Sequence, residues 1–200
     1  MMNRREALRS IGLTTGFVVV SPSLLTLLQS CTTEKEHWQP TFLTTDEGIF
    51  LTRVVDIILP KTDDSPSATE VNVPEFIDKY MDQVLMEEEQ AKQRKALSNL
   101  MTAIKKDYNE NLDDISDEDY KKILDKYLLN RGEKDPQRDE NPNNSDITDR
   151  EFLGGIKYMT INAYRNSQQV GENVLVYDPV PAQYYCGDLQ ELTGGKSYSL

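Results

Sequence analysis

Few residues in this 200-residue chain are of types that carry chemistry, and their spacing limits what they can do. There are two cysteines, Cys31 and Cys186, and one histidine, His37. A haem c attachment needs C-x-x-C-H, and a structural zinc site needs several Cys and His ligands at short spacing. Neither pattern occurs. A Ser-His-Asp site would have only His37 to draw on, and that residue sits in a polar stretch with Trp38 and Pro40. Cys186 has Asp188 and Glu191 as its charged neighbours, which would not stabilise a thiolate, so structural burial is expected for it. The segment Asp107 to Asp119 is dense in Asp and Asn but lacks the D-x-[DN]-x-[DN]-G spacing that places oxygens around calcium, and it reads as a solvated acidic loop. Gly154-Gly155 has no strand before it, as a phosphate loop requires, and suggests close helix packing or a helix distortion. Nothing in this inventory holds a cofactor or metal, and no two of the many carboxylates single themselves out as an acid–base pair.

The remaining chemistry is at the N-terminus. Arg4 and Arg5 lie in a short basic region, followed by a moderately apolar stretch from Ile11 to Leu28 that Gly12, Thr14, Thr15, Gly16, Ser21, Pro22 and Ser23 dilute. A permanent span needs about 20 predominantly apolar residues. The dilution suits an export signal better. Leu28-Gln29-Ser30-Cys31 resembles a bacterial lipobox, in which the cysteine thiol takes a diacylglyceryl group. Acyl chains contribute about 0.8 kcal/mol per buried CH2, so two or three of them anchor a protein without a spanning helix. The paired arginines resemble a twin-arginine signal, although Asn3 and Ala7 stand where that pattern has Ser or Thr and Phe. An ordinary Sec lipoprotein signal is the other route that fits.

Removing residues 1–30 leaves 170 residues, enough for one domain with a real core. The whole chain carries 22 basic and 34 acidic residues, a net −12. The leader holds three arginines and one glutamate, so the remainder stands at −14. Phosphate backbones and anionic headgroups repel such a body, which sets nucleic-acid binding aside. If Cys31 is lipidated, Cys186 has no partner in the chain and a disulfide framework is excluded.

The elements that would position anything functional are helices. Residues 31–43 read as the lipidated cysteine and a tether, and residues 44–200 as the folded domain. Thr44-x-x-Glu47 has capping-box spacing ahead of Phe50, Val54, Ile57 and Ile58, predicting a helix over 45–59 that Pro60 stops. Pro74 fits the first turn of a second helix with Ile77, Met81, Val84 and Leu85 on its apolar face. Leu97, Leu100, Met101, Ile104 and Tyr108 mark a third, with Glu87, Glu88, Glu89, Lys92, Arg94 and Lys95 as its solvated surface. Ser116 caps a fourth, carrying Tyr120, Ile123, Leu124, Tyr127 and Leu128 and ending near Gly132. Residues 131–147 read as an exposed loop. Thr148-x-x-Glu151 opens a fifth helix with Phe152, Ile156, Met159 and Ala163 on one face, running to about Asn166. From Gly171 the helical period disappears into a Pro-, Gly- and Tyr-rich tail, with a small strand pair expected around Val174 to Tyr177. The fold class is all-α, a single domain of about five helices.

Three blocks taken together resemble the gluconate 2-dehydrogenase subunit 3 family, in the form associated with Bacteroidetes-type bacteria. The first is the leader with its lipobox. The second runs from Val54 to Tyr80 through Ile57-Ile58-Leu59-Pro60-Lys61-Thr62, Ser65-Pro66-Ser67-Ala68 and Val73-Pro74-Glu75-Phe76-Ile77-Asp78. The third, Phe152 to Tyr198, contains Lys157-Tyr158-Met159-Thr160, Tyr164, Tyr177, Pro179-Val180-Pro181 and Tyr184. The resemblance implies a small subunit without a cofactor of its own, beside a GMC-type flavoprotein that binds FAD and oxidises a sugar acid or polyol, with a cytochrome c subunit as electron acceptor. It also implies roles for Arg4 and Arg5 in export, Cys31 in anchoring, and Pro60, Pro66, Phe76, Tyr177, Pro179, Pro181 and Tyr184 in structure or docking. A stand-alone periplasmic or surface lipoprotein, acting as a binding or scaffold module, is the alternative from another class.

Overall fold

Thr44 adopts an extended conformation and starts the first helix, α1 (Thr45–Ile58), by a reciprocal exchange. Glu47 N donates to Thr44 Oγ1 at 3.4 Å, and Thr44 N donates to Glu47 Oε2 at 2.8 Å. The pair satisfies N–H groups that a helix start leaves without partners. The helix ends at Leu59, because Pro60 disfavours the helical conformation in the residue before it. The computed structural model describes residues 38–129, 134–180 and 186–199. Arg4, Arg5, Cys31, His37, Gly132, Pro181 and Tyr184 lie outside that set, so the expectations resting on them are not addressed by it.

A 3-10 turn, Thr69–Val71, leads to Asn72 at φ +58°, a left-handed conformation that Asn tolerates better than most residues. α2 (Val73–Gln83) follows, with Pro74 in its first turn where a missing N–H costs nothing. α3 (Glu87–Asp107) places its three consecutive glutamates at the positive end of the helix dipole and Lys105 and Lys106 at the negative end. A second 3-10 turn, Leu112–Asp114, lies inside the acidic segment and buries Leu112. α4 (Asp117–Leu128) is capped by Ser116, whose hydroxyl accepts from Asp119 N at 3.2 Å. The stretch expected to be an exposed loop contains a short helix, α5 (Pro136–Glu140), started by Asp135 as cap and Pro136 as first residue. α6 (Asp149–Arg165) opens with the capping box of Thr148 and Glu151.

Helix α6 is central and packs against α1, α2, α3 and α4. Its buried face is Asp149, Phe152, Leu153, Ile156, Thr160 and Tyr164, while Met159 and Ala163 lie at the margin. The core also takes Phe50, Val54 and Val55 from α1, Ile77 and Met81 from α2, Leu100 and Ile104 from α3, and Tyr120 and Ile123 from α4. The Phe50 and Tyr120 rings meet at 6.1 Å and join α1 to α4. Burial pushes the Tyr120 hydroxyl up to about 12.

Four expectations are corrected. On α1 the inner face is Phe50, Leu51, Val54 and Val55, with Ile57 and Ile58 only half-buried. Val84 lies past the end of α2 and is 60% exposed. Gly154 and Gly155 lie in regular helix, and a Cβ on either would meet nothing within 4 Å, so neither close packing nor distortion accounts for them. The tail is not free of helix: α7 (Gln168–Asn173) and α8 (Leu189–Thr193) form there, and the expected strand pair is a single parallel bridge between Val176 and Tyr198.

Candidate functional site

The block from Asp56 to Tyr80 is fastened by a set of side-chain hydrogen bonds. Asp56 accepts from Thr69 N at 2.9 Å and Thr69 Oγ1 at 2.7 Å, and Ala68 N donates to Leu59 O at 3.0 Å. These bonds close the proline-containing loop between α1 and the 3-10 turn. From the far side, the Tyr164 hydroxyl on α6 donates to Pro66 O at 2.7 Å. Asp78, fully buried on α2, takes four donors: Thr41 N at 2.7 Å, Thr41 Oγ1 at 2.8 Å, Phe42 N at 3.0 Å and Leu43 N at 2.9 Å. The carboxylate therefore satisfies three successive backbone amides of the segment that leads into the domain.

Against this frame the predicted structure-or-docking residues separate. Pro66 is half-buried with its carbonyl bound by Tyr164. Pro60, Phe76, Tyr177 and Pro179 are exposed, Phe76 by 53% and Tyr177 by 47%. Phe76 stacks on Tyr80 with ring centroids 6.3 Å apart. Tyr177 follows Val176, whose N–H and C=O pair with Ser197 and Ser199 at 3.0 Å each. The structure thus distributes these residues over two places, the α1–α2 block and the start of the tail. Cys186 is exposed rather than buried, because its segment contributes only Thr193 to the interior.

Phe76 borders a cleft on this side. Glu75, Phe76 and Lys79 from α2 face Asn162, Ala163 and Asn166 from the end of α6 across about 400 Å3. Glu75 Oε2 is shielded from solvent and has no hydrogen-bond donor. The Asn162 and Asn166 amide nitrogens each donate one hydrogen bond to a helix carbonyl, Tyr158 O and Asn162 O, at 2.8 Å each.

Opposite, at the start of α6, α5 works as a clamp. Gln137 brackets Asp149, donating to its carboxylate and accepting from its backbone N–H, both at 2.8 Å. The Arg138 guanidinium holds Glu151 through Nε at 3.1 Å and Nη2 at 2.5 Å, and also donates to Asn144 O and to Asp146 O. Arg138, through these bonds and its charge, lowers the Glu151 carboxyl below the usual carboxylate value. Sequence reasoning missed this clamp. Its signal was Asp135-Pro136, a cap followed by a first-turn proline.

Among the described residues no group of three or more His, Cys, Asp or Glu side chains is placed to hold a metal ion. No helix among them is long and apolar enough to cross a membrane. The sequence matches the family described as gluconate 2-dehydrogenase subunit 3 over residues 45–182, more than two-thirds of the chain. The chain belongs to this family. The matched region begins at the first residue of α1 and takes in both the fastened block and the α2–α6 cleft. No curated protein and no solved structure matches the chain significantly. As a subunit 3 chain it is an accessory rather than a catalytic component of an oxidoreductase complex.

Proposed function

We propose that this chain is the accessory subunit of a membrane-associated, FAD-dependent dehydrogenase of the GMC type acting on sugar acids or polyols. It supplies the export signal and the membrane anchor for the flavoprotein. The observation that carries this reading is the subunit 3 family match across residues 45–182. The leader adds the means: the twin-arginine route moves folded proteins, so a partner loaded with FAD in the cytoplasm can leave bound to the subunit whose Arg4 and Arg5 are read at export. Cys31 then carries the acyl chains that hold the complex on the periplasmic side. FAD resides in the partner, and a cytochrome c subunit takes the electrons. Pro60, Pro66, Phe76, Tyr177, Pro179, Pro181 and Tyr184 shape or contact the flavoprotein interface.

Mild extraction from membranes and purification through this chain tests the proposal. A yellow co-purifying protein of far larger mass, with an FAD absorption spectrum and substrate-dependent dye reduction, is the expected result. A colourless chain recovered alone, from its native cells grown on a sugar acid or polyol, would sink it.

A further inference from the structure

We propose that the uncovered face of α6 is an interface between two copies of this chain, paired antiparallel about a two-fold axis at Tyr158. The inference stands independently of the accessory-subunit reading. At about 100° per residue, Glu151, Gly154, Gly155, Ile161, Asn162 and Arg165 all lie within about 60° of Tyr158 around the helix. Arg150 and Lys157 fall outside this sector. Tyr158 is 71% exposed and Ile161 36%, with Glu151, Gly155 and Arg165 also exposed, so α1 to α4 leave this side of the central helix open. Glycine is, after proline, the least favourable residue inside a helix. Nothing within the chain calls for Gly154 and Gly155, since a Cβ on either meets no atom within 4 Å.

The order of residues along the strip selects a second copy as the occupant. Turning one α6 end over end about Tyr158 sets Glu151 against Arg165 of the other copy, Gly154 against Ile161, and Gly155 against Asn162. Every pairing occurs twice, as an isologous contact requires, and each joins acid to base or the smallest residue to a larger one. The glycines let the two axes approach to the short end of the usual 8–10 Å range of helix packing. Arg165 is in no ion pair among the described residues. Glu151 accepts from Arg138 Nε on Oε1, and from Arg138 Nη2 and Thr148 N on Oε2. A carboxylate has about four acceptor positions, so Oε1 can take a further donor from Arg165 of the second copy. Apart from Glu151 the strip carries no acid, so the net −12 of the chain is not concentrated there, and its long-range repulsion is screened over about 8 Å at 0.15 M salt. From Glu151 to Arg165 the strip is about 21 Å long, which places the pair at the low end of specific interfaces, with a Kd of about 10–100 µM.

Two measurements test this on the full chain carrying Cys31→Ser and Cys186→Ser in mild detergent. In the first, sedimentation equilibrium over about 5–500 µM follows the parent, Gly155→Leu and Arg165→Glu. A monomer–dimer equilibrium in the parent, weakened at least about tenfold in each variant with the helical circular dichroism retained, is expected. A parent that stays monomeric overturns the proposal, and so does association that neither variant weakens, which would belong to another surface. In the second, a single cysteine is placed on the strip and oxidised with copper phenanthroline. Tyr158→Cys lies on the axis and should give a disulfide-linked dimer, whereas Arg165→Cys should not, since its two copies are about 21 Å apart along the helices. Equal yields at the two positions, or none at 158, overturn the antiparallel pairing even if Gly155→Leu or Arg165→Glu fails to fold. A monomeric parent whose co-purifying flavoprotein is lost in Gly155→Leu would give the face to the flavoprotein and refute the assignment to a second copy.

Discussion

Asp78 concentrates more of the structure than any other single side chain. Its two oxygens, on a fully buried side chain, replace water for three consecutive backbone amides and one hydroxyl, of which the Phe42 and Leu43 amides are buried with it. Hydrogen bonds to a charged acceptor contribute more than neutral ones, and a removed acceptor leaves its donors buried and unpaired. Asp78→Ala is therefore expected to cost about 3–4 kcal/mol in urea unfolding, toward the upper end for single substitutions. A loss under 1 kcal/mol would show that residues 41–43 are held by something else. The type of residue 78 was visible in the motif that ends Phe76-Ile77-Asp78, but its role was not, because the donors lie more than thirty residues upstream. The same holds for Tyr164, whose hydroxyl meets the carbonyl of Pro66 across 98 positions of sequence. Pair relations of that range carry no local signature. Glu75 shows the complementary case, where what matters is a missing donor, and only coordinates reveal it.

At the scale of elements, helix starts were legible because their chemistry is local. Thr44, Ser116 and Thr148 each accept from the N–H three residues on, as their spacing predicted. Helix faces were less legible. Periodicity gave the stripe but not its centre, which depends on which neighbour a helix meets, and α6 meets four. Gly154 and Gly155 lie on the side of α6 away from its most buried residues, where a methyl group finds open space. Gly155→Ala should raise stability by about 0.8–1 kcal/mol through helix propensity alone, read as a higher urea midpoint with an unchanged slope. The α5 clamp adds a pH dependence. Glu151 titrates below its ordinary 4.5 when folded, so its contribution is present above that value and is lost as pH falls through the folded one. Glu151→Gln should be less stable than the parent at pH 7, and the gap should narrow on acidification as the parent carboxyl takes up its proton in the folded state. A gap that does not change with pH would assign the effect to packing.

For the whole molecule, charge and the proposed anchor work in opposite directions. The −14 that remains after the leader gives no attraction to anionic headgroups, and no helix among the described residues can span a membrane. On the proposed lipidation of Cys31, membrane attachment rests on its acyl chains, and Cys31→Ser should release the protein into the soluble fraction at low as well as high salt. Retention of that variant would show a second attachment. Arg4→Lys with Arg5→Lys should strand the precursor in the cytoplasm if the twin-arginine route is used, and processing at the parent rate would point to the Sec route. The all-α class was legible from capping and periodicity, whereas α5, α7 and α8 were not, because five- and six-residue helices have too few turns to show a period. One consequence of the Asp78 contact is mechanical. Any tug transmitted along the chain from residues before Pro40 reaches the globule at Thr41, and there it meets four bonds converging on one carboxylate. With the proposed anchor and partner, drag on the chain would load that junction ahead of the helical core.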